Sequence, residues 1–387
     1  MHRRSIAGLA AAAVLAVAAA LGGAASAGAA RTTKQVYDDF GSSYTIADYQ
    51  AKWSNPYGLL DADPGNGNPA TRSFGRKGFS IDDAPFRGSS DFSVFDHLKY
   101  IAVSSAPQFA APAGGSVTFS SVISAQTPGT QTGRVVNGRY GAPFSWDGTG
   151  DPTYSATVLE GQQAGAVMNM VNFKTGQLFD WFVSGSKAFA LVERLPSSVT
   201  RLPNPDVPTT DPGFVGPGKM YTQIVGEVSA ERNQSHVVAI QYSRSASDPA
   251  NATVKFTFDG TTVATVDHVG VPLDSPTRPA KQVAAWRAKG LPYGSATYPG
   301  GPPAAGEDLG NQIDGFVIGH GTFSLLDAFP FQWGWDFGIA GPFCLYDGDP
   351  TFGSSCGGSV SIPTSQRLFG QGVKATFDTF TVTTRTP

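Results

Sequence analysis

The thirteen-residue stretch Val254–Val266 (Val-Lys-Phe-Thr-Phe-Asp-Gly-Thr-Thr-Val-Ala-Thr-Val) constrains the fold more than any other part of this chain. Apolar and polar residues alternate on both sides of Asp259-Gly260. An Asp-Gly pair supplies the two positive φ angles of a type I′ turn, whose twist matches that of paired strands. Pairing Phe258 with Thr261 puts Val254, Phe256 and Val263 on one face and Lys255, Thr257 and Thr262 on the other. That pattern is a half-buried antiparallel hairpin, and a chain built of such units is all-β.

The rest of the composition agrees. Only 15% of the 387 residues are charged, while Gly numbers 47 and Pro 28. Many turn formers with few charges fit a β-rich extracellular protein better than a helical one. The chain opens with Arg3-Arg4, an apolar run from Ile6 to Leu21 and Ala25-Ser26-Ala27, which reads as a signal peptide over residues 1–27. Arg3-Arg4 also leaves a twin-arginine leader open. The expected mature chain, 28–387, is secreted and forms one domain. The net charge of −3 becomes more negative when the leader is lost, which argues against nucleic acid or an anionic membrane as partner. A monomer is expected.

Strand-like runs recur at Ser116–Ala125, Ala164–Phe173, Gln177–Val183, Ala188–Arg194, Met220–Val228, His236–Ser243, Phe316–Ile318, Ser359–Ile362 and Phe377–Thr384. Together they predict an antiparallel β-sandwich of jelly-roll type with long loops and one or two short helices. One helix is predicted at Pro279–Lys289, between Thr277 and Gly290. Loop insertions are expected near 56–90, 195–217 and 272–312. Cys344 and Cys356 are expected to form one disulfide, worth about 3 kcal/mol in the chain-entropy account. Asp61, Asp63, Asn66 and Asn68 lie in a Gly-rich stretch. Solvated turn residues and a structural calcium are both open readings there, and no other cofactor is expected.

Tyr37-Asp38-Asp39-Phe40 with Lys52-Trp53, the closing run Phe377–Val382, and His236–Tyr242 followed by Val254–Gly260 resemble the concanavalin A-like jelly-roll superfamily of lectins and glycan-cleaving enzymes. The resemblance implies a sandwich whose last strand pairs beside its first. Thr175–Pro196, Ile318–Phe331 and Ile362–Gly372 are similar to a secreted actinobacterial family with no assigned function, a likeness that adds no activity. The Glu-x-Asp-x-Glu strand of the glycosidase branch is absent, which puts its retaining mechanism in doubt. The Arg-x-Glu-x-Arg and Gln-x-His strands of the alginate-lyase branch are absent too. Gln223 in Tyr221-Thr222-Gln223 is a partial echo of the second and enters as a ligand-contact candidate.

Asp180 and Glu193 are the carboxylate candidates. A two- or four-residue turn at Gly185-Ser186 pairs Asp180 with Leu191 and makes Glu193 its diagonal neighbour on the same face. A three-residue turn would separate them. The competing reading gives each a structural ion pair. His320, near Asp327, is a candidate general base, or else a hydrogen-bonded histidine at a strand end. Trp333 and Trp335 alternate with Gly334 and could both present rings to a sugar; core packing is the alternative. Trp181, on the other face of its strand from Asp180, is expected in the core. No metal site is expected. The leading expectation is a lectin-like protein that binds an extracellular glycan. A polysaccharide hydrolase or lyase using Asp180, Glu193 or His320 is the second reading. A structural or protein-binding module is the third.

Overall fold

The computed structural model describes residues 30–54, 70–86, 98–105, 108–130, 135–138, 154–157, 164–194, 221–248, 251–270, 310–323 and 371–387. The strands begin with β1 (Thr32–Asp38), β2 (Trp53–Ser54), β3 (Thr71–Gly75), β4 (Gly78–Asp83), β5 (Leu98–Ser104) and β6 (Ser116–Gln126). They continue with β7 (Val135–Gly138), β8 (Tyr154–Thr157), β9 (Gly165–Asn172), β10 (Gln177–Val183), β11 (Lys187–Arg194) and β12 (Tyr221–Ser229). The last are β13 (Ser235–Arg244), β14 (Ala252–Phe258), β15 (Thr261–Asp267), β16 (Val317–Phe323) and β17 (Val373–Arg385). One α-helix, α1 (Ile46–Lys52), lies among the described residues.

Two antiparallel sheets make the sandwich. The first runs β15-β14-β13-β6-β17-β4-β3, and the second runs β12-β11-β10-β9-β16-β5-β2. A small ribbon pairs β7 with β8. On the first sheet side chains alternate inward and outward, as a half-buried sheet requires. Val117, Phe119 and Ile123 of β6, Val238 and Ile240 of β13, and Val254 and Phe256 of β14 point into the core. The second sheet is apolar on both faces. Met168, Met170, Phe179, Trp181 and Ile318 face the sandwich core. Val167, Val171, Leu178, Phe182, Leu191 and Val317 form a separate buried cluster on the opposite, outward face. This explains why Ala164–Phe173 reads as a continuous apolar run and not as an alternation. Trp181 occupies the expected core position, and its Nε1 donates across the sandwich to Ala239 O at 2.9 Å.

Asp259-Gly260 turns as its sequence predicts, with φ of 46° and 79° and Phe258 opposite Thr261. Asp259 also clamps the neighbouring strand. It accepts from Val237 N at 2.7 Å and from His236 Nδ1–H at 2.8 Å, while His236 Nε2 accepts from Glu231 N at 3.1 Å. The register differs from the expected one in a single place. A bulge brings Ala264 opposite Phe256 and Val266 opposite Val254. Ala264 and Val266 therefore take the inward positions, and Val263 is only partly buried. A one-residue bulge is what lets Val266 rather than Thr265 reach the core.

The stretch expected as a loop near 56–90 contains β3 and β4 instead. Gly78 at φ 94° closes the hairpin, and β4 pairs with the first half of β17. The alternation Phe79-Ser80-Ile81-Asp82 carries the strand, but Gly- and Asp-rich flanks obscure it in the sequence. The predicted helix Pro279–Lys289, the Ser359–Ile362 strand, the calcium stretch, the signal peptide and the Cys344–Cys356 pair lie outside the described residues. So does the 195–217 insertion, and so does the 272–312 insertion up to Gly310. No described helix is long and apolar enough to cross a membrane.

The first and last strands pair as the superfamily resemblance implies, with Val36 opposite Thr381 and Asp38 opposite Phe380. Past β1 the chain turns at Phe40, with φ of 46°, into α1, which opens on a reciprocal cap between Thr45 and Asp48. The fully buried Asp38 carboxylate gathers this corner. It accepts from Trp53 Nε1 at 2.7 Å, Lys52 Nζ at 3.0 Å, Phe40 N at 3.2 Å and the Tyr44 hydroxyl. Burial and Asp38 push the Tyr44 phenol far up, so it stays a donor. Asp38→Asn is expected to cost about 3 kcal/mol, since one amide oxygen cannot replace a carboxylate buried among donors. Lys52, whose side chain is 40% exposed, should matter less, with Lys52→Met costing under about 1 kcal/mol. Urea unfolding of the two variants measures the difference, and equal losses would contradict the central role of Asp38.

Candidate functional site

The β10–β11 turn decides whether the two candidate carboxyls meet. It is the tight form: Ser184 N donates to Lys187 O at 2.8 Å, and Ser184 Oγ accepts from Lys187 N at 2.9 Å. Asp180 lies opposite Leu191, and Leu178 lies opposite Glu193. Both carboxyls thus fall on the outward face of the second sheet, as diagonal neighbours, and their side chains hydrogen-bond.

Asp180 is 3% exposed, set among Leu178, Phe182 and Leu191. Glu193 is half-buried at the end of its strand. Burial first, and the neighbouring Glu193 second, hold the Asp180 carboxyl well above the usual range. Two abutting carboxyls in an apolar setting cannot both ionise. Asp180 is thus the member of the pair whose protonated form is favoured, with Glu193 as its hydrogen-bond partner. On the other side Asn169 Nδ2 donates to Asp180 Oδ1 at 2.5 Å. Asn169 lies opposite both Asp180 and Gly319. A methyl group at position 319 would sit 3.0 Å from Asn169 Oδ1, so the glycine is what leaves room for the amide. Asn169 Oδ1 itself has no partner. Asn169 is the contributor sequence reading missed. Its signal was a lone polar residue inside the apolar run Val167-Met-Asn-Met-Val171.

The structure does not bring His320 to this pair. His320 sits on the opposite face of the sheet, wholly buried in the sandwich core. Trp53 packs edge-on against its ring at 4.5 Å, with Phe79, Phe377 and Phe380 around it. Its Nε2 bonds the Tyr49 hydroxyl at 2.7 Å, and Tyr49 bonds Tyr100 at 2.7 Å. Enclosed in this aromatic cage among the described residues, His320 fits the hydrogen-bonded reading of the sequence more closely than the general-base reading. Burial alone pulls it down to about 3. Gln223 takes the register position opposite Val192, one step from the Glu193–Thr222 pair. Trp333 and Trp335 lie outside the described residues. Among the described residues no cluster of His, Cys, Asp or Glu is arranged to hold a metal.

The two buried groups give opposite pH slopes. The unfolded His320 takes a proton near pH 6.5 and the folded one near 3. Between those values the unfolded state binds more protons, so this group lowers stability as pH falls, by roughly 4–5 kcal/mol over the window. Nitrogen-detected NMR should show His320 neutral at pH 5, and His320→Gln should lack that slope. Asp180 works the other way. Its folded form holds a proton that the unfolded form loses near 3.8. Its contribution is fully present below that value and is lost as pH rises toward the raised folded value. Asp180→Asn keeps a donor for Glu193 without an ionisable group. It should gain on the wild type as pH rises from 4 to 8 in urea titrations, and a constant difference would contradict the assignment.

Solved structures similar to this chain have low identity to it. An endo-1,3-beta-glucanase from Streptomyces sioyaensis is 13% identical with a TM-score of 0.37, covering 92% of this chain and 97% of its own. An endo-beta-1,4-glucuronan lyase from Trichoderma reesei is 11% identical with a TM-score of 0.27, covering 84% and 93%. Lectin II from Ulex europaeus is 8% identical with a TM-score of 0.24, covering 81% and 90%. No curated protein matches the chain. Residues 37–284, which run from the Asp38 corner past the Asp259-Gly260 hairpin and include both carboxyls, match a family of unknown function, DUF6081, and the chain belongs to that family.

Proposed function

We propose that this protein is exported through its leader and acts as a monomer on an extracellular glycan, with Asp180 and Glu193 as one acid–base unit. The observation that carries the reading is the hydrogen-bonded contact between a buried Asp180, held well above the usual carboxyl range, and a half-buried Glu193. Strongly perturbed carboxyls concentrate where proton transfer is needed. Glu193 is the member that meets solvent, so it exchanges protons with a bound sugar. Asp180 orients it, and Asn169 orients Asp180. The glycan enters by analogy of fold class, in which one sheet face of a jelly-roll sandwich carries the ligand.

The hydrogen-bonded contact also constrains the chemistry. A retaining glycosidase separates its two carboxyls by about 5–5.5 Å so that a sugar carbon fits between them. Asp180 and Glu193 touch, so they share one role and do not divide into acid and nucleophile. Hydrolysis with inversion, or elimination, needs one such unit plus a second group elsewhere.

Assays for reducing ends and for unsaturated products on a panel of neutral and uronate polysaccharides test the proposal, alongside a glycan array. Turnover is expected on at least one polymer. Glu193→Gln should lower it by about 10²–10⁴-fold, the usual worth of a positioned acid–base group, while binding persists. Asp180→Asn should give a smaller loss and a shifted pH profile. Binding without turnover would return the protein to the lectin-like reading, and neither binding nor turnover would remove both.

A further inference from the structure

Tyr242 and Arg244 lie two residues apart on β13, in the part of the strand whose even-numbered positions face the sandwich interior. Tyr242 is 1% exposed. Its ring meets Phe316 edge-on at 4.8 Å and stacks toward Phe179 at 6.5 Å. Its hydroxyl has no hydrogen-bond partner. Arg244 is half-buried, and its Nε is buried without a partner as well. Among the described residues Arg244 forms no ion pair; its backbone N–H donates to Gly115 O at 3.0 Å. Opposite these positions stand Ala252, Val254 and Val117, which have nothing to accept with. Burial raises the Tyr242 phenol to about 12 even though the Arg244 charge opposes the shift.

An unmade hydrogen bond from a buried group is costly. Here both debts fall on one strand face, and both are owed by donors. An ordered water could take both hydrogen bonds but would make no use of the Arg244 charge beside them. An oxygen-bearing anion satisfies both, and guanidinium is well suited to receive one. We infer that Tyr242 and Arg244 form an oxyanion-binding site at the end of β13, which takes a carboxylate, sulfate or phosphate group. The site lies on the first sheet, whereas Asp180 and Glu193 lie on the outward face of the second, so it is separate from the proposed acid–base unit.

Calorimetric titration of the full chain with sodium sulfate, and separately with a uronate oligosaccharide, at fixed ionic strength in chloride, tests this. Saturable binding of at least one is expected. Sulfate binding identifies a free ion as sufficient; binding of the uronate alone identifies a sugar-borne carboxylate. Tyr242→Phe should weaken the affinity about 2–10-fold, the worth of one neutral hydrogen bond. Arg244→Gln should abolish it. Tyr242→Phe also guards against a folding artefact. In chloride alone its thermal midpoint should equal or exceed that of the wild type, because the hydroxyl it removes has no partner. Weakening or loss of sulfate binding in the Tyr242 and Arg244 variants without loss of any polysaccharide turnover keeps this test independent of the glycan reading. No saturable binding of either probe, or binding unchanged in both site variants, overturns the site.

Discussion

Burial of the second sheet on both faces is the constraint from which the candidate chemistry follows. A sheet with one solvated face can place a polar side chain in water at no cost. Here β9, β10 and β16 have no such face, so every polar group on them must find a partner in place. Three of them meet that demand differently, while Asn169 Oδ1 and His320 Nδ1 are left without a partner among the described residues. Thr322 donates to Asp83 of the first sheet at 2.7 Å. His320 stays neutral and bonds Tyr49. Asp180 stands between Asn169 and Glu193. The same low-polarity surroundings that make an isolated charge expensive there also favour the protonated form of Asp180.

The first sheet depends on β17 in a comparable way. Along one edge β17 pairs with β6, and along the other with β4 and then β1. β1 and β4 thus follow one another along a single strand. Asp38 at the end of β1 ties α1 and Trp53 to that seam, and Trp53 in turn packs on His320 in the second sheet. The aromatic cage around His320 is therefore built from both sheets and from the helix. Its imidazole joins the two layers and is not a group waiting for a ligand.

Much of this was legible in the sequence where the local pattern and the tertiary demand agree. The Asp259-Gly260 turn, the Gly185-Ser186 turn and the runs at Ser116–Ala125 and His236–Ser243 carry their own register, and the structure keeps it. Legibility failed where a long-range partner decides the outcome. Nothing near Val263 announces the bulge, which exists because Val266 must reach the core. β3 and β4 are short and flanked by Gly, Asp and Asn, and they become strands because β17 offers an edge. α1 escaped the sequence reading because its seven residues are too few for a periodic pattern. His320 stayed between two readings for a physical reason too. Sequence cannot say which face of a doubly buried strand a histidine occupies, and a catalytic and a core histidine look alike until the face is known.

Contact between the two carboxyls narrows what the site can do more sharply than their mere presence. Had Asp180 and Glu193 stood a water's width apart, the pair could have divided into acid and base. In contact they behave as one titrating unit. Burial and the neighbouring Glu193 both favour the protonated form of the buried member, Asp180. On the proposed glycan reading, the member that a sugar would meet is the half-buried Glu193, cast as a base. A base of that kind suits activation of a water or removal of a carbon-bound proton, and it leaves protonation of the leaving oxygen to another group. A complete mechanism on this face must draw that second group from outside the Asp180–Glu193 pair, because the two carboxyls in contact serve as one unit.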